Sequence, residues 1–128
     1  MIEIKNETEK VILVGVSLSD QDDTKESLEE LKDLVSTAGA ETVGMVIQNR
    51  EQQHPGTYVG KGKIEELKSM IWELRATGIV CDDELSPAQM KNLQDELDVK
   101  VMDRTLIILD IFAARASTSE GKIQVELA

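Results

Sequence analysis

Continuous hydrophobic runs alternate along the chain with runs at helical spacing. Residues 10–16 form a largely β-branched run that a polar segment ends, a pattern typical of a strand covered on both faces. Leu28, Leu31 and Val35 follow at the spacing of one helix face, and Gly39 stands where a left-handed helix cap belongs. The alternation continues and predicts strands at residues 10–16, 42–47, 79–81 and 99–102, with a helix after each. Because strands that alternate with helices indicate βαβ units, the predicted fold class is α/β, a four-stranded mainly parallel sheet with helices on both faces.

Two predicted helices begin with a capping signal. Ser86, Pro87 and Gln89 supply a cap residue, a proline at the first helical position and the partner of a capping box. Asp23 followed by Glu26 predicts a second capping box at the start of the first helix. For the last helix the pattern predicts a cap at residue 105.

The last predicted helix differs from the others because it is apolar nearly all round. Such a helix, at residues 106–114, has to be covered on every side, whereas a four-stranded sheet covers only one. Residues 122–128 resemble the first turns of a helix whose pattern has not ended. We therefore expect a fragment, with an α/β domain at residues 1–116 and the start of a truncated helical linker at 117–128. An exposed apolar helix on such a fragment would also favour self-association. The predicted interdomain face consists of Leu106, Ile107, Ile108, Ile111, Phe112, Ile123 and Leu127.

The composition narrows the classes of function. The 128 residues suggest one domain, and a net charge of −11 disfavours nucleic-acid binding through the whole surface, though not through a local basic patch. Cys81 is the single cysteine and His54 is the single histidine. An intrachain disulfide is therefore excluded, and a zinc site would have few of its usual ligands. This usage fits a reducing cytoplasm. No apolar run approaches the roughly 20 residues of a membrane span.

The strongest candidate site is a glycine- and lysine-rich junction that follows a short extended run at residues 57–59. Backbone N–H groups at such a junction, with two lysines beside them, favour binding of an anion or a phosphate. The spacing is not that of a P-loop. A tight turn with glycines at positive φ is the alternative that the pattern leaves open. The candidate RNA- or anion-binding residues are Gly60, Lys61, Gly62, Lys63 and Arg50.

Two other chemistries have weaker support. Asp82 and Asp83 follow a predicted parallel strand, where α/β folds place ligands, and with the acids after the first strand they are similar to the Mg²⁺ cluster of a receiver domain. A receiver needs a fifth strand ending in lysine, which the pattern lacks, and a solvated turn is the alternative. Cys81 lies inside a strand, where a thiol is usually a small hydrophobic group. No catalytic or metal-binding residue is predicted, and an independent receiver-like or adaptor module remains the alternative function.

Five segments carry a resemblance to a known family. They are TYVGKGKIEEL at residues 57–67, DDELSPAQ at 82–89, VMDRT at 101–105, ILDIFA at 108–113 and EGKIQVELA at 120–128. Their sequences, order and spacing closely resemble the N-terminal domain of the HflX family of ribosome-associated GTPases.

The resemblance implies an architecture and a role. Family members continue from this α/β domain into a helical hairpin and a P-loop GTPase domain, and they bind the large ribosomal subunit and split stalled ribosomes in the cytoplasm. GTP and Mg²⁺ would then bind in the missing GTPase domain, with no cofactor in this chain. Three GTPase motifs, the Walker A motif, Asp-x-x-Gly and Asn-Lys-x-Asp, are absent from these 128 residues. We therefore expect no GTP hydrolysis by the chain alone. The resemblance implies an accessory domain that orients the enzyme on the ribosome and packs on its GTPase domain.

Overall fold

The computed structural model describes residues 8–19 and 23–115, in which strands and helices alternate. The elements are β1 (Lys10–Ser17), α1 (Thr24–Thr37), β2 (Glu41–Asn49), α2 (Lys61–Leu74), β3 (Gly78–Cys81), α3 (Pro87–Leu97), β4 (Lys100–Asp103) and α4 (Arg104–Arg115). The predicted α/β class is confirmed. The predicted linker at 117–128, with Ile123 and Leu127, lies outside the described residues.

The four strands form one sheet in the order β2-β1-β3-β4, and each neighbouring pair is parallel. β1 therefore lies inside the sheet, which explains its continuous hydrophobic run. A register shift interrupts the pairing of β1 with β2 between Val11 and Ile12. Because all strands point the same way, the segments that follow the four strands lie at one edge of the sheet.

The core has two layers, one on each face of the sheet. Ile12, Val14 and Ile79 face α2 and α3, whose buried residues include Ile64, Leu67, Leu93 and Leu97. Val11, Leu13 and Val80 face α1 and α4, whose buried residues are Leu28, Leu31, Val35 and Ile107. Helices thus cover both faces, as the hydrophobic pattern predicts. Within the described residues, no helix has both the length and the apolar character needed to cross a bilayer.

The helix starts agree with the capping predictions at one of three places. At α3 the Ser86 hydroxyl accepts the Gln89 N–H at 3.1 Å and the Gln89 side chain accepts the Ser86 N–H at 3.0 Å, which confirms the capping box. At α1 the prediction is wrong, because the Asp23 backbone (φ −106°, ψ 45°) is not extended and its side chain makes no capping bond. At α4 the cap is Asp103, two residues before Thr105, because its carboxylate accepts the Leu106 N–H.

Candidate functional site

The loop before α2 is closed by its own hydrogen bonds. His54 and Tyr58 exchange backbone hydrogen bonds of 3.1 and 2.8 Å. Inside the turn, the His54 Nδ1 accepts the N–H groups of Gly56 at 3.0 Å and Thr57 at 3.1 Å. The segment from His54 to Gly60, here called the junction loop, therefore has a defined shape at the point where the chain enters α2.

Neighbouring elements hold the junction loop from two sides. On α3, the Gln89 side chain donates to the His54 carbonyl at 2.9 Å and the Asn92 side chain donates to the Gly56 carbonyl at 2.9 Å. On β2, the Gln48 side chain accepts the Gly60 N–H at 2.8 Å. The buried backbone groups of the loop thus find partners although the loop belongs to no strand.

Tyr58 departs from the predicted extended run. Its φ is +68°, in the left-handed region, which costs an ordinary L-residue about 1–2 kcal/mol. The side chain is fully buried, and its hydroxyl donates to Asp83 Oδ2 at 2.6 Å. Burial, and then this hydrogen bond, raise the pKa of Tyr58 far above its ordinary value, so the hydroxyl keeps its proton and remains a donor. The prediction of an extended residue is wrong here because tertiary contacts hold the left-handed conformation.

Gly60 has no positive φ, and the space beside it is taken by the movable Arg50 side chain. Its φ is −75°, and a Cβ at this position would lie 2.7 Å from Arg50 Nη1. Gly62 lies inside α2, and a Cβ there would meet nothing within 4 Å. Among the described glycines only Gly39 has a positive φ, so the proposed conformational reason for the two junction glycines is wrong. The Arg50 guanidinium lies where a side chain at residue 60 would be.

Positive charge collects at the start of α2. Lys61 is the first residue of the helix and is exposed, and no ion pair of its side chain occurs within the described part of the chain. Arg50 donates through Nε to the Gln52 carbonyl at 2.9 Å, and it has no carboxylate partner within the same residues. Lys63 is directed along the helix to Glu66, at 2.9 Å. Arg50, Gly60 and Lys61 therefore share one location at the positive end of a helix dipole.

A small hollow beside Lys61 has a mixed charge. Its volume is about 140 Å³, and Lys61 shares its lining with the carboxylates of Glu65 and Glu96. Lys68 contacts both carboxylates, at 3.2 and 3.7 Å. An anion would therefore be favoured at the outer side of the junction, near Arg50, and disfavoured inside this hollow.

The acidic residues after β3 are engaged in the fold. Asp82 Oδ1 accepts Arg104 Nη2 at 2.7 Å, while Asp83 accepts the Tyr58 hydroxyl. Within residues 8–19 and 23–115, no group of three or more histidine, cysteine, aspartate or glutamate side chains is placed to hold a metal ion. Asp82 and Asp83, which belong to the suggested receiver-like Mg²⁺ cluster, thus bind protein groups of their own chain, while the acids at residues 20 and 22 lie outside the described residues.

Sequence reasoning missed the role of Arg104. Its Nη2 donates to the Ser27 carbonyl at 2.8 Å and to the Ser27 hydroxyl at 3.0 Å, in addition to Asp82. Asp103, the preceding residue, accepts the Leu106 N–H at 2.9 Å and the Leu85 N–H at 2.8 Å. These bonds join the start of α4 to α1 and to the loop after β3. The only local signal was a charged pair between an apolar strand and an apolar helix.

Cys81 is buried at the end of β3. Burial, and then the nearby Asp103 carboxylate, raise the pKa of the Cys81 thiol well above its ordinary value. The thiolate that a nucleophile requires is therefore disfavoured, which argues against the alternative of an enzyme using this residue.

The last helix has an inner and an outer side. Ile107 lies in the core with Leu28 and Val80, and Ile111 packs partly on the same cluster. The structure therefore places Ile107 within the domain's own core, because α4 packs on α1 and on the sheet. On the outer side Leu109 is 56% exposed and Phe112 is 60% exposed. Leu106 is exposed too and Ile108 is half-buried, whereas Leu109 was absent from the predicted interdomain face.

Comparison with known proteins gives consistent matches along the chain. A family model described as GTP-binding GTPase N-terminal matches residues 25–113. The GTPase HflX of Lacrimispora saccharolytica is 70% identical over the whole chain, which covers 30% of that protein. The GTPase HflX of Escherichia coli is 43% identical over 94% of the chain, which covers 28% of that protein.

Solved structures agree with these matches. A crystal structure of a complex of SsGBP and GDP superposes with a TM-score of 0.66 and 27% identity, over 92% of this chain and 33% of that one. A GTP-binding protein from Sulfolobus solfataricus in complex with GDP gives a TM-score of 0.64 at the same identity and the same share of this chain. The chain spans about a third or less of each of these proteins. By its sequence and its fold, the chain belongs to the GTP-binding GTPase N-terminal family and is similar throughout its length to HflX GTPases.

Proposed function

We propose that the chain is the accessory N-terminal domain of a ribosome-binding GTPase of the HflX type. It orients that enzyme on the large ribosomal subunit and packs on the GTPase domain, in the cytoplasm. The relatives named GTPase HflX are about three times longer than this chain. GTP, Mg²⁺ and the hydrolysis reaction belong, in this proposal, to the remainder of such a protein.

The outer face of α4 is the observation that carries the proposal. Leu109 and Phe112 expose more than half of their surface on a helix whose other side is already packed. Full burial of such a side chain is worth about 1.5–3 kcal/mol, so covering the part that is still exposed stabilises an interface by about 1–2 kcal/mol each. We assign the covering partner to another domain of the same protein, because the relatives named GTPase HflX are about three times longer than this chain.

The ribosomal contact is assigned to the junction at the start of α2. Lys61, Lys63 and Arg50 would contact phosphates of ribosomal RNA, with the Gly60 and Gly62 backbone beside them. Arg50 and Lys61 are the leading contacts, since Lys63 already has Glu66 as a partner. A local cluster of this kind is compatible with a net charge of −11, because phosphate contacts act over short distances at physiological salt.

Charge reversal tests this assignment in the full-length protein. Lys61→Glu with Lys63→Glu should weaken binding to isolated large subunits in a sedimentation assay. The slope of log affinity against log salt concentration should become shallower by about one for each lysine–phosphate contact that the variant removes. The matched control is Lys68→Glu with Lys91→Glu, which changes the net charge equally at residues outside the junction. Unchanged, still salt-dependent binding of the first variant would remove the junction from the proposed interface.

A further inference from the structure

We propose that Tyr58, through its hydrogen bond to Asp83, is a positioning residue that sets the junction loop for RNA contact by Arg50 and Lys61. The proposal rests on the proposed function, because it explains how the contact site is held. Tyr58 itself is fully buried and would not touch RNA.

Tyr58 lies in the chain between the turn of the junction loop and the start of α2. It follows the internally bonded turn and precedes Gly60 by two residues. Its left-handed backbone directs the chain from the turn towards α2. Gly60 in turn donates to the Gln48 side chain at 2.8 Å and accepts the Ile64 N–H at 3.0 Å, in the first turn of α2. A change of backbone conformation at Tyr58 would therefore move Gly60 and Lys61.

The side-chain bond from Tyr58 to Asp83 holds the Tyr58 backbone in its left-handed conformation in this proposal. A bulky L-residue avoids the left-handed region unless its surroundings determine it. The only side-chain hydrogen bond of Tyr58 within the described residues runs to Asp83, and its 2.6 Å length is typical of a bond to a charged acceptor. Asp83 follows β3, a central strand of the sheet, so the bond fastens the loop to a rigid part of the fold.

Gly60 also lies next to the side chain of Arg50. The guanidinium of Arg50 lies against Gly60, where a Cβ would approach Nη1 to 2.7 Å. If Gly60 moves, the surface on which Arg50 rests moves with it. Tyr58 thus acts on both leading contacts of the junction, on Lys61 through the helix start and on Arg50 through Gly60.

Four variants of the full-length protein test the positioning role. Tyr58→Phe keeps the buried ring and removes the hydroxyl, Asp83→Ala removes the acceptor, and Asp83→Asn keeps a carbonyl oxygen that accepts the same hydrogen bond. Tyr58→Phe and Asp83→Ala should each weaken binding to large subunits by about tenfold, as expected for loss of one bond to a charged group. The double variant of Tyr58→Phe with Asp83→Ala should be no weaker than either single variant, and Asp83→Asn, which keeps a neutral acceptor, should lose less affinity than Asp83→Ala.

Two readouts separate positioning from a general effect on stability. Affinities are compared at a temperature at which circular dichroism shows every variant folded, and the salt dependence of Tyr58→Phe should stay unchanged because no phosphate contact is deleted. Amide hydrogen exchange should accelerate in the junction loop of Tyr58→Phe and remain slow in α3. Exchange that accelerates equally throughout the sheet would show a purely structural role and would overturn the proposal.

The outcomes also separate this proposal from the function on which it rests. If Tyr58→Phe binds subunits normally while the Lys61 and Lys63 reversal weakens binding, the positioning role is overturned and the junction stands. Additive losses in the double variant would likewise overturn it, because Tyr58 and Asp83 would then act separately. If the lysine reversal itself leaves binding unchanged, the RNA contact fails, and the positioning role fails with it.

Discussion

Replacement of Arg104 by methionine should be among the most damaging single changes outside the hydrophobic core. Methionine keeps the length and the apolar stem of the side chain but removes the guanidinium. The change deletes two hydrogen bonds to Asp82, of 2.7 and 3.2 Å, and two to Ser27, of 2.8 and 3.0 Å. Asp82 would remain as a carboxylate without its cationic partner.

The size of the effect follows from the burial of the two partners. The Asp82 side chain is 9% exposed and that of Arg104 is 25% exposed. Removal of one partner from a fully buried ion pair costs about 3–5 kcal/mol, and access of water to Arg104 reduces this to about 2–3 kcal/mol. That is a large part of the roughly 5–15 kcal/mol typical of a domain. The urea midpoint should fall by about 0.7–3 M, given ordinary slopes of roughly 1–3 kcal/mol per molar urea.

Urea unfolding of the 128-residue chain, followed by circular dichroism, is the appropriate assay. Lys91→Met is the matched control, since it breaks a fully exposed ion pair with Asp95 and should cost less than about 1 kcal/mol. Asp82→Leu combined with Arg104→Met should recover part of the loss, because no unpaired carboxylate is left. If Arg104→Met is no less stable than Lys91→Met, the reasoning on the buried pair is refuted.

Five further substitutions have expected outcomes. Gly62→Ala should raise the free energy of unfolding by about 0.5–1 kcal/mol in urea titrations, since it lies in a helix with open space around its Cβ; a decrease would contradict this. Gly78→Ala should lower the free energy of unfolding by about 1–3 kcal/mol, because the new Cβ would lie 2.8 Å from the Lys100 carbonyl oxygen. An unchanged free energy of unfolding would show that β4 can shift away at little cost. Ile107→Ala should cost about 2–5 kcal/mol and Phe112→Ser less than about 1 kcal/mol, and equal costs would contradict the two-sided description of α4. Because the pKa of Cys81 is raised on folding, the folded chain retains a proton that the unfolded chain releases above pH of about 9. The free energy of unfolding should therefore fall as pH rises beyond that value, and it should fall by less in Cys81→Ala. The thiol of Cys81 in the folded chain should also be alkylated far more slowly than free cysteine.

The sequence was informative wherever local chemistry determines structure. The unbroken hydrophobic run of β1 predicts a strand covered on both faces, and Ser86 with Gln89 predicts a capping box, because in each case the interacting groups lie close in the chain. Tyr58 could not be predicted in the same way, since its hydrogen-bond partner Asp83 is 25 residues away and no local pattern indicates its left-handed φ. Gly60 was singled out for the wrong reason, because no local pattern indicates that Arg50 lies over it.

The uniform hydrophobicity of α4 limited the prediction differently. A helix with a clear polar side shows which side faces the core, but residues 106–114 are apolar in almost every direction. The pattern therefore predicted a covered helix without deciding between Ile107 and Leu109. Packing against α1 and the anchoring of Arg104 decide the rotation of the helix, and both depend on residues distant in sequence.

The bonds of Arg104 constrain how this domain can change over generations. A mutation that removes the guanidinium leaves a buried carboxylate at residue 82, and one that removes the carboxylate leaves Arg104 with the more distant Glu30, at 3.9 Å. Each single step should weaken the fold, whereas a paired replacement should recover part of the loss, so we expect positions 82 and 104 to change together. Lineages that depart from this ion pair should therefore have exchanged both residues, with few surviving intermediates.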